Sequence, residues 1–160
     1  MTYDYKDSAY HEQIMEVALE EAQTAFNEGE VPVGAVAVED GEIIAREHNR
    51  IEQLKDCTAH AEMLVLKKLF YLKNDWRLDN IMLYVSLEPC VMCAGAIQLA
   101  RLKSLVFGAY NERKGAVRTL FRVLDEPELN HSVEIVEGIK KNECETLMKK
   151  FFLERRNEDI

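Results

Sequence analysis

The amino-acid sequence predicts an α/β fold, a three-layer α/β/α sandwich with a five-stranded mixed sheet. Two observations lead to this prediction. Two β-rich segments flank Asp40-Gly41, a dipeptide typical of a two-residue hairpin turn, so the sheet is expected to begin with an antiparallel pair. After that hairpin, strand and helix patterns alternate along the chain, which requires parallel crossovers and covers both faces of the sheet with helices.

The individual elements follow from apolar periodicity and from turn residues. Apolar residues recur at helical spacing between Ser8 and Gly29, which predicts a first helix over about 8 to 28. Thr58 is a suitable N-cap for a second helix that ends near Leu72, and Pro89 is expected just inside the start of a third. Strands are predicted at 33–38, 43–45, 81–85, 105–107 and 133–136, and the remaining helices at 90–101, near 116–124 and at 141–156.

Length and composition are those of an ordinary folded domain. The chain has 160 residues, of which 48% are hydrophobic and 31% charged, and it contains no Pro/Gly/Ser-rich linker or internal repeat. We therefore expect one domain over residues 1–160. No apolar run approaches the roughly 20 residues of a membrane span, and the first residues lack the features of a signal peptide. These observations predict a soluble, cytoplasmic protein without membrane association.

Charge is distributed unevenly along the chain. The net charge is −9, but residues 1–100 carry 8 Lys and Arg against 18 Asp and Glu, whereas residues 101–160 carry 12 against 11. The basic residues of the second part form clusters: Arg101, Lys103, Arg113, Lys114, Arg118 and Arg122, then Lys149, Lys150, Arg155 and Arg156. Such clusters are either solvated helix faces or a rim that binds phosphates, and composition alone leaves both open.

Three side chains have the spacing of a metal site. Cys90 and Cys93 lie three residues apart in the first turn of a predicted helix, and His60 lies near the start of another. A helix N-terminus favours thiolate, the form of cysteine that binds zinc. One histidine and two cysteines leave the fourth tetrahedral position for water, which is the arrangement of a catalytic zinc ion, Zn²⁺.

Other readings of the same residues exist. A Cys-x-x-Cys pair by itself also fits redox chemistry, and Cys57 could complete a closed structural zinc site. The pair is, however, accompanied by His60-Ala61-Glu62 and preceded by Pro89, and together these form the His-x-Glu and Pro-Cys-x-x-Cys signature of zinc nucleobase deaminases. Glu62 cannot share the helical face of His60, so it is better suited to carrying protons than to ligation.

On these motifs the chain resembles the bacterial tRNA-specific adenosine deaminases of the cytidine and deoxycytidylate deaminase superfamily. The resemblance extends over nearly the whole chain, and the last two of its blocks favour the tRNA branch. The blocks are EVPVGAV at 30–36, HN at 48–49, TAHAE at 58–62, LYVSLEPCVMCAGAI at 83–97, VFGA at 106–109, LNH at 129–131 and FFLERR at 151–156.

The resemblance implies a cytidine deaminase-like fold and a specific reaction. Adenosine at the wobble position of a tRNA anticodon would be hydrolysed to inosine with loss of ammonia. His60, Cys90 and Cys93 would hold zinc, and Glu62 would carry protons between water, the purine ring and the departing amine. It also implies a homodimer that holds the anticodon loop between its subunits.

Further site residues follow by similarity. Asn49 would hydrogen-bond the purine, Val33 and Gly34 would form a pocket wall, and the backbone at Leu87 and Glu88 would hold the amine. Phe152 and its neighbour Phe151 would stack on nucleotides, and Arg155 would reach phosphate. For Asn49 an ordinary turn residue, and for the two phenylalanines a place in the core, are the alternatives.

Asn111 departs from the family pattern. Relatives commonly have an acid at this position, against the substrate ribose, and a carboxylate suits a 2′-hydroxyl as an obligate acceptor. The neutral amide predicts weaker discrimination between RNA and DNA, so that single-stranded DNA becomes a possible second substrate. A loop substitution without consequence is the alternative.

Two rival functions use the same motifs. One is a deaminase of a free base or nucleoside of the guanine or cytosine type. The other is a zinc-containing nucleic-acid-binding module without activity, which would not need Glu62. The basic clusters and the block at 151–156 argue against the first.

Overall fold

Five strands form one mixed sheet in this computed structural model, which describes residues 7–158. They are β1 (Gly34–Glu39), β2 (Glu42–His48), β3 (Met82–Leu87), β4 (Ser104–Ala109) and β5 (Glu134–Val136). Their order across the sheet is β2-β1-β3-β4-β5; β1 is antiparallel to β2 and β3, and β3, β4 and β5 run parallel. The predicted five-stranded mixed sheet is confirmed.

Helices cover both faces of this sheet. They are α1 (Ser8–Asn27), α2 (Ile51–Leu54), α3 (Ala61–Lys73), α4 (Val91–Leu99) and α5 (Lys141–Glu158). Helices α1 and α5 pack against a core that contains Met15, Tyr84 and Val106, while α3 and α4 pack against the opposite face. Within residues 7–158 no helix combines the length and the apolarity that crossing a membrane requires.

The hairpin at Asp40-Gly41 forms as predicted. Both residues have positive φ angles, 50° and 81°, and the strands pair on either side of them at Glu39 and Glu42. Positive φ at both central positions defines the tight turn whose twist matches that of antiparallel strands, and Asp-Gly is one of the dipeptides that adopt it readily.

Helix α1 lies unusually close to β1 because of Gly34. A Cβ atom at Gly34 would lie 2.0 Å from the carbonyl oxygen of Ala18 and 2.6 Å from the amide nitrogen of Ala22. The buried face of α1 is itself built from small residues, including Ala18, Ala22 and Ala25. Gly34 therefore sets the distance between the helix and the sheet.

Three local predictions were wrong. Thr58 does not cap α3, because its amide and hydroxyl both donate to Asp56 Oδ1, and His60 is the N-cap instead. Pro89 lies outside α4, whose N-cap is Cys90. No α-helix forms at 116–124; this part contains turns and a single 3₁₀ turn at Val123–Asp125.

The topology gathers the predicted site residues at one end of the sheet. At this end lie the carboxyl ends of β2, β3 and β4 and the amino end of β1. Glu88 directly follows β3, and Tyr110 directly follows β4. Parallel strands generally present functional groups at their carboxyl ends.

Candidate active site

A cavity of about 870 Å³ opens at this end of the sheet. Its walls come from the start of β1, the residue after β2, the N-termini of α3 and α4, the segment after β4, and α5. Of the residues predicted from sequence, the cavity is lined by Val33, Asn49, His60, Glu62, Leu87, Glu88, Cys90, Asn111, Phe152 and Arg155. Most of the predicted site therefore converges on one space.

His60, Cys90 and Cys93 have the separations of ligands around one ion. His60 Nδ1 lies 3.7 Å from Cys90 Sγ and 3.5 Å from Cys93 Sγ, and the three ligand atoms lie within 4.8 Å of one another. Tetrahedral zinc, with bonds of about 2.3 Å to sulfur and about 2.0 Å to nitrogen, separates sulfur from nitrogen by about 3.5 Å. The donor set and its spacing therefore fit zinc.

The local folding explains this convergence. His60 and Cys90 are both N-caps with extended backbone, and Cys93 lies in the first turn of α4. The positive end of each helix dipole thus points at the cluster. Hydrogen bonds from Cys93 and His60 lower the pKa of Cys90 to about 3, although burial opposes this shift.

Glu62 lies beside the cluster in the first turn of α3. Its side chain lines the cavity but does not belong to the group of potential ligands. Only 4% of the residue is exposed, and burial raises the pKa of its carboxyl. A carboxyl whose pKa is shifted towards neutrality can both accept and donate a proton, as general acid–base catalysis requires.

Cys57 and Cys144 stay outside the cluster. Cys57 is exposed and does not belong to the potential ligand group, so the closed site with Cys57 as a fourth ligand is not formed. Cys144 is buried in α5, and burial raises the pKa of its thiol to about 12, which keeps it protonated. Its sulfur packs against Gly108, where a Cβ would lie 2.4 Å away.

A second group of potential ligands, Glu21, Glu47 and His48, is already satisfied by protein partners. His48 Nδ1 lies 2.8 Å from Glu21 and Nε2 lies 2.9 Å from Glu28. Glu47 accepts from Arg50 and pairs with Lys68, and Glu21 accepts from Arg46. These contacts join β2 to α1 next to Asn49.

Asn49 has the properties of a ligand-binding residue. Only 4% of it is exposed, its backbone N–H donates to the carbonyl of Val33, and among residues 7–158 its side-chain amide has no hydrogen-bond partner. Asn49 lines the cavity together with Val33, so its side-chain amide is available to a ligand there. Gly34 does not line the cavity, because the side of the residue where a Cβ would lie faces α1.

The segment Leu87-Glu88 contributes in a way that the sequence did not indicate. The backbone N–H of Glu88 donates to the carbonyl of Ala109 at 2.8 Å, so it is not free to bind a substrate. The Glu88 carboxylate instead accepts hydrogen bonds from the segment 111–119. The position of a glutamate directly before Pro89-Cys90 was the only signal in the sequence.

The two phenylalanines of α5 have different environments. Phe152 is 44% exposed and lines the cavity, whereas Phe151 is buried edge-to-face against Phe26. Arg155 lines the cavity, but its guanidinium also donates to the carbonyl of Gly29 and stacks on Phe151. Phe151 therefore belongs to the packing between α1 and α5.

The basic clusters divide into paired and unpaired residues. Arg118 pairs with Asp125 and Glu137, and Arg122 pairs with Asp125. Four other basic residues line the cavity, and within the described part of the chain no carboxylate lies within 4.0 Å of them: Arg113, Lys114, Lys149 and Arg156. These four give the cavity a positive rim in a protein of negative net charge.

Comparison with known proteins gives a consistent result. The family described as MafB19-like deaminase matches residues 9–156. The tRNA-specific adenosine deaminase of Aquifex aeolicus (strain VF5) is 46% identical over 149 residues, which are 93% of this chain and 98% of that protein. That of Bacillus subtilis (strain 168) is 46% identical over 145 residues, 91% of this chain and 90% of that protein.

Solved structures agree. A structure from a study of A-to-I editing by tRNA:A34 deaminases at the wobble position of transfer RNA has a TM-score of 0.81 and 41% identity, covering 84% of this chain and 98% of the other. A guanine deaminase from Bacillus subtilis is more distant, with a TM-score of 0.61 and 34% identity over 78% of this chain and 82% of its own. The chain belongs to the family of bacterial tRNA-specific adenosine deaminases, within the cytidine and deoxycytidylate deaminase superfamily.

Proposed function

We propose that this protein is a zinc-dependent tRNA adenosine deaminase that converts adenosine to inosine at the wobble position of an anticodon. The observation that carries the proposal is the His60–Cys90–Cys93 cluster beside the buried Glu62 at the wall of a cavity. The names of relatives at 38–46% identity support the adenosine and tRNA specificity.

His60, Cys90 and Cys93 would hold the zinc ion. When bound, zinc supplies a Lewis acid that makes water a usable nucleophile near neutral pH. Glu62 would accept a proton from the attacking water and donate it to the ring nitrogen next to C6. It would then move the proton of the new C6 hydroxyl to the amine, which leaves as ammonia while the C6 carbonyl forms. Its burial keeps bulk water from competing for these protons.

Asn49 would recognise the purine. Its unpaired amide offers a donor and an acceptor, which match the polar edge of a base, while Val33 and Leu87 supply apolar wall. A base can enter this cavity only after leaving its stack, and an anticodon loop allows this at low cost. Phe152 would stack on a neighbouring nucleotide.

The positive rim favours a polynucleotide over a free base. Arg113, Lys114, Lys149 and Arg156 line the same cavity as the metal cluster, where phosphates on either side of an extruded nucleotide would lie. A free base or nucleoside has no phosphates for them to bind, and the guanine deaminases are the more distant structural neighbours.

Ammonia release and inosine formation test the proposal. We expect an anticodon stem–loop with adenosine at the wobble position to be deaminated, and free adenosine, guanine and cytidine to react far more slowly. One equivalent of zinc per chain is expected by metal analysis. Preferential deamination of free guanine, or full activity in protein that contains no divalent metal, would contradict the proposal.

Asn111 carries a finer prediction on sugar discrimination. Its Oδ1 already accepts from the backbone N–H of Lys114 at 3.1 Å, which leaves the NH₂ group, a donor, for the cavity. An aspartate here would keep its second oxygen as an acceptor for the 2′-hydroxyl. Since a charged hydrogen bond exceeds a neutral one by about 1 kcal/mol, the RNA preference should be several-fold weaker with asparagine.

Matched stem–loops with adenosine or deoxyadenosine at the target position measure this preference. We expect the ratio of kcat/KM for RNA over DNA to increase several-fold in Asn111→Asp. An unchanged or smaller ratio in the variant would show that the amide does not set sugar discrimination.

We also propose a homodimer that joins through the outer face of α4. Val91 and Leu99, two turns apart on this helix, are large apolar residues that are 52% and 71% exposed, and Gly95 between them faces open space. Val91 directly follows Cys90, so a second subunit on this face would border the cavity of the first.

A further inference from the structure

The Glu88 carboxylate is almost completely buried and accepts five hydrogen bonds. Four come from backbone N–H groups, those of Asn111 at 3.1 Å, Val117 at 3.1 Å, Arg118 at 2.7 Å and Thr119 at 3.0 Å. The fifth comes from the hydroxyl of Thr119. All five donors lie within residues 111–119, so one side chain binds four backbone amides and one hydroxyl of the same segment.

Glu88 lies at a junction between two parts of the candidate site. It is separated from the ligand Cys90 by one residue, and its own N–H is bound to Ala109 at the end of β4. The carbonyl of the next residue, Pro89, accepts from Ala116 at 2.9 Å. The segment 111–119 is therefore fastened to the chain immediately before the metal cluster.

Gly115 makes this approach possible. A Cβ at Gly115 would lie 2.5 Å from Cδ and Oε1 of Glu88 and 2.6 Å from the carbonyl oxygen of Asn111. No other residue type leaves this space free, so the segment can wrap around the carboxylate only with glycine here. The close approach of Gly115 to Glu88 is thus a second, independent sign that the segment is built around this carboxylate.

The segment carries residues that line the cavity. Asn111, Glu112, Arg113 and Lys114 contribute to its wall, and the Asn111 side chain also accepts from the Lys114 backbone. The backbone of residues 111–119 forms turns and irregular structure, with no helix or strand. The hydrogen bonds to Glu88 act together with the bond from Ala116 to Pro89 and with the burial of Ala116 and Val117 in the core.

We propose that Glu88 is a positioning residue that holds the segment 111–119 at the cavity and so places Asn111, Arg113 and Lys114 against the ribose and phosphates of the substrate. This inference rests on the proposed function for the identity of the substrate. It concerns the side chain of Glu88, which touches no reacting atom, and predicts an effect on substrate binding more than on the chemical step.

Glu88→Gln is the main test. Glutamine keeps the size and one acceptor, but its NH₂ group would face backbone donors, so at least one charged hydrogen bond is lost. Such a bond shifts the equilibrium between the held and the released segment by roughly tenfold or more. We expect KM for the anticodon stem–loop and its Kd by fluorescence anisotropy to rise by up to about tenfold, because only chains with the segment held bind fully. We expect kcat to change less than threefold and zinc per chain to stay at the parental value.

Hydrogen exchange reads the segment directly and does not depend on activity. In Glu88→Gln, backbone amides at 111–119 should exchange at least about tenfold faster, while those of α3 and α4 keep their protection. Gly115→Ala should also raise KM and speed exchange at 111–119, because its methyl group would push the segment away from the Glu88 carboxylate. Thr119→Val removes only the hydroxyl donor to Glu88 and can be measured if Glu88→Gln fails to fold. It should give a smaller rise in KM and a smaller increase in exchange at 111–119.

Glu137→Gln is the matched control. Glu137 is an exposed acid that pairs with Tyr110 and Arg118, so this change also removes one negative charge near the segment but leaves the Glu88 contacts intact. We expect little change in KM or in exchange at 111–119. Unchanged exchange of 111–119 in Glu88→Gln and Gly115→Ala, or an equal loss of protection throughout the chain, would overturn the proposal. If exchange of 111–119 is faster in Glu88→Gln but the parental protein itself shows no deaminase activity, the contact with Glu88 stands and the proposed function does not.

Discussion

Glu62 has an environment unlike that of an ordinary surface acid. It lies next to the cluster of His60, Cys90 and Cys93, its carboxyl is buried, and burial raises its pKa. A raised pKa beside such a cluster suits a group that exchanges protons with water or substrate. The proposed mechanism uses this property at each proton transfer.

Glu62→Gln is therefore expected to retain the metal and lose turnover. Glutamine preserves the shape of the side chain and removes the exchangeable proton, so kcat should fall by at least about 10²–10⁴-fold. Metal analysis and ammonia release from an anticodon stem–loop measure the two effects separately. Turnover within a few-fold of the parental protein would exclude Glu62 as the proton carrier.

The clustering of the candidate ligands could be predicted from the sequence, and individual packing partners could not. His60, Cys90 and Cys93 each lie in a short motif whose chemistry is specific, and the structure brings them together. Phe151 was expected to stack on nucleotides, yet it packs on Phe26, a residue more than a hundred positions away. Local patterns carry no information on such distant neighbours.

The segment at 116–124 forms turns where the sequence predicts a helix. The amides of Val117, Arg118 and Thr119 are bound to Glu88, but at the start of a helix these N–H groups would have no intrahelical partner in any case. The helical pattern fails at the next residue, because Leu120 donates to Gly115 and the carbonyl of Ala116 accepts from Val123 instead of from Leu120.

The contact between α1 and β1 gives a prediction at the level of elements. In Gly34→Ala the new methyl group would meet the backbone of Ala18 and Ala22, so the helix must move away from the sheet. Overpacking of this kind typically costs about 1–3 kcal/mol, and a collision with backbone belongs at the upper end. Urea unfolding followed by circular dichroism measures the loss.

Gly34→Ala also separates two roles of this position. The cavity is not lined by Gly34, so the purified variant should keep its zinc content and its KM at temperatures well below unfolding. A specific loss of substrate affinity with unchanged stability would instead favour the pocket wall that the family resemblance implies.

For the whole molecule, a mixed sheet with one hairpin and parallel crossovers could be predicted because these connections obey few rules. The order of its strands was not predicted and comes from the structure. Once β1 and β2 pair through Asp40-Gly41 and β3, β4 and β5 run parallel, one end of the sheet collects the start of β1 and the ends of β2, β3 and β4. That end contains the cavity. The surfaces used for assembly follow no such rule, and they must be found from exposure.

Leu99→Arg tests the proposed dimer. The parental protein is expected to elute at about twice its 18.5 kDa chain mass, because in the proposed dimer a second subunit covers the exposed apolar face of α4. Arginine at a residue that is already 71% exposed costs the isolated subunit little, but it places a charge in the contact. Light scattering after gel filtration should then show a monomer with its zinc retained.

Tyr71→Arg serves as the control, since Tyr71 is 88% exposed near the far end of α3, about 17 Å along the helix from His60. This variant should remain dimeric and active. If Leu99→Arg stays dimeric, the α4 face is not the contact. If it becomes monomeric with an unchanged Kd for the anticodon stem–loop, the second subunit contributes nothing to the site it borders, and each chain binds its substrate alone.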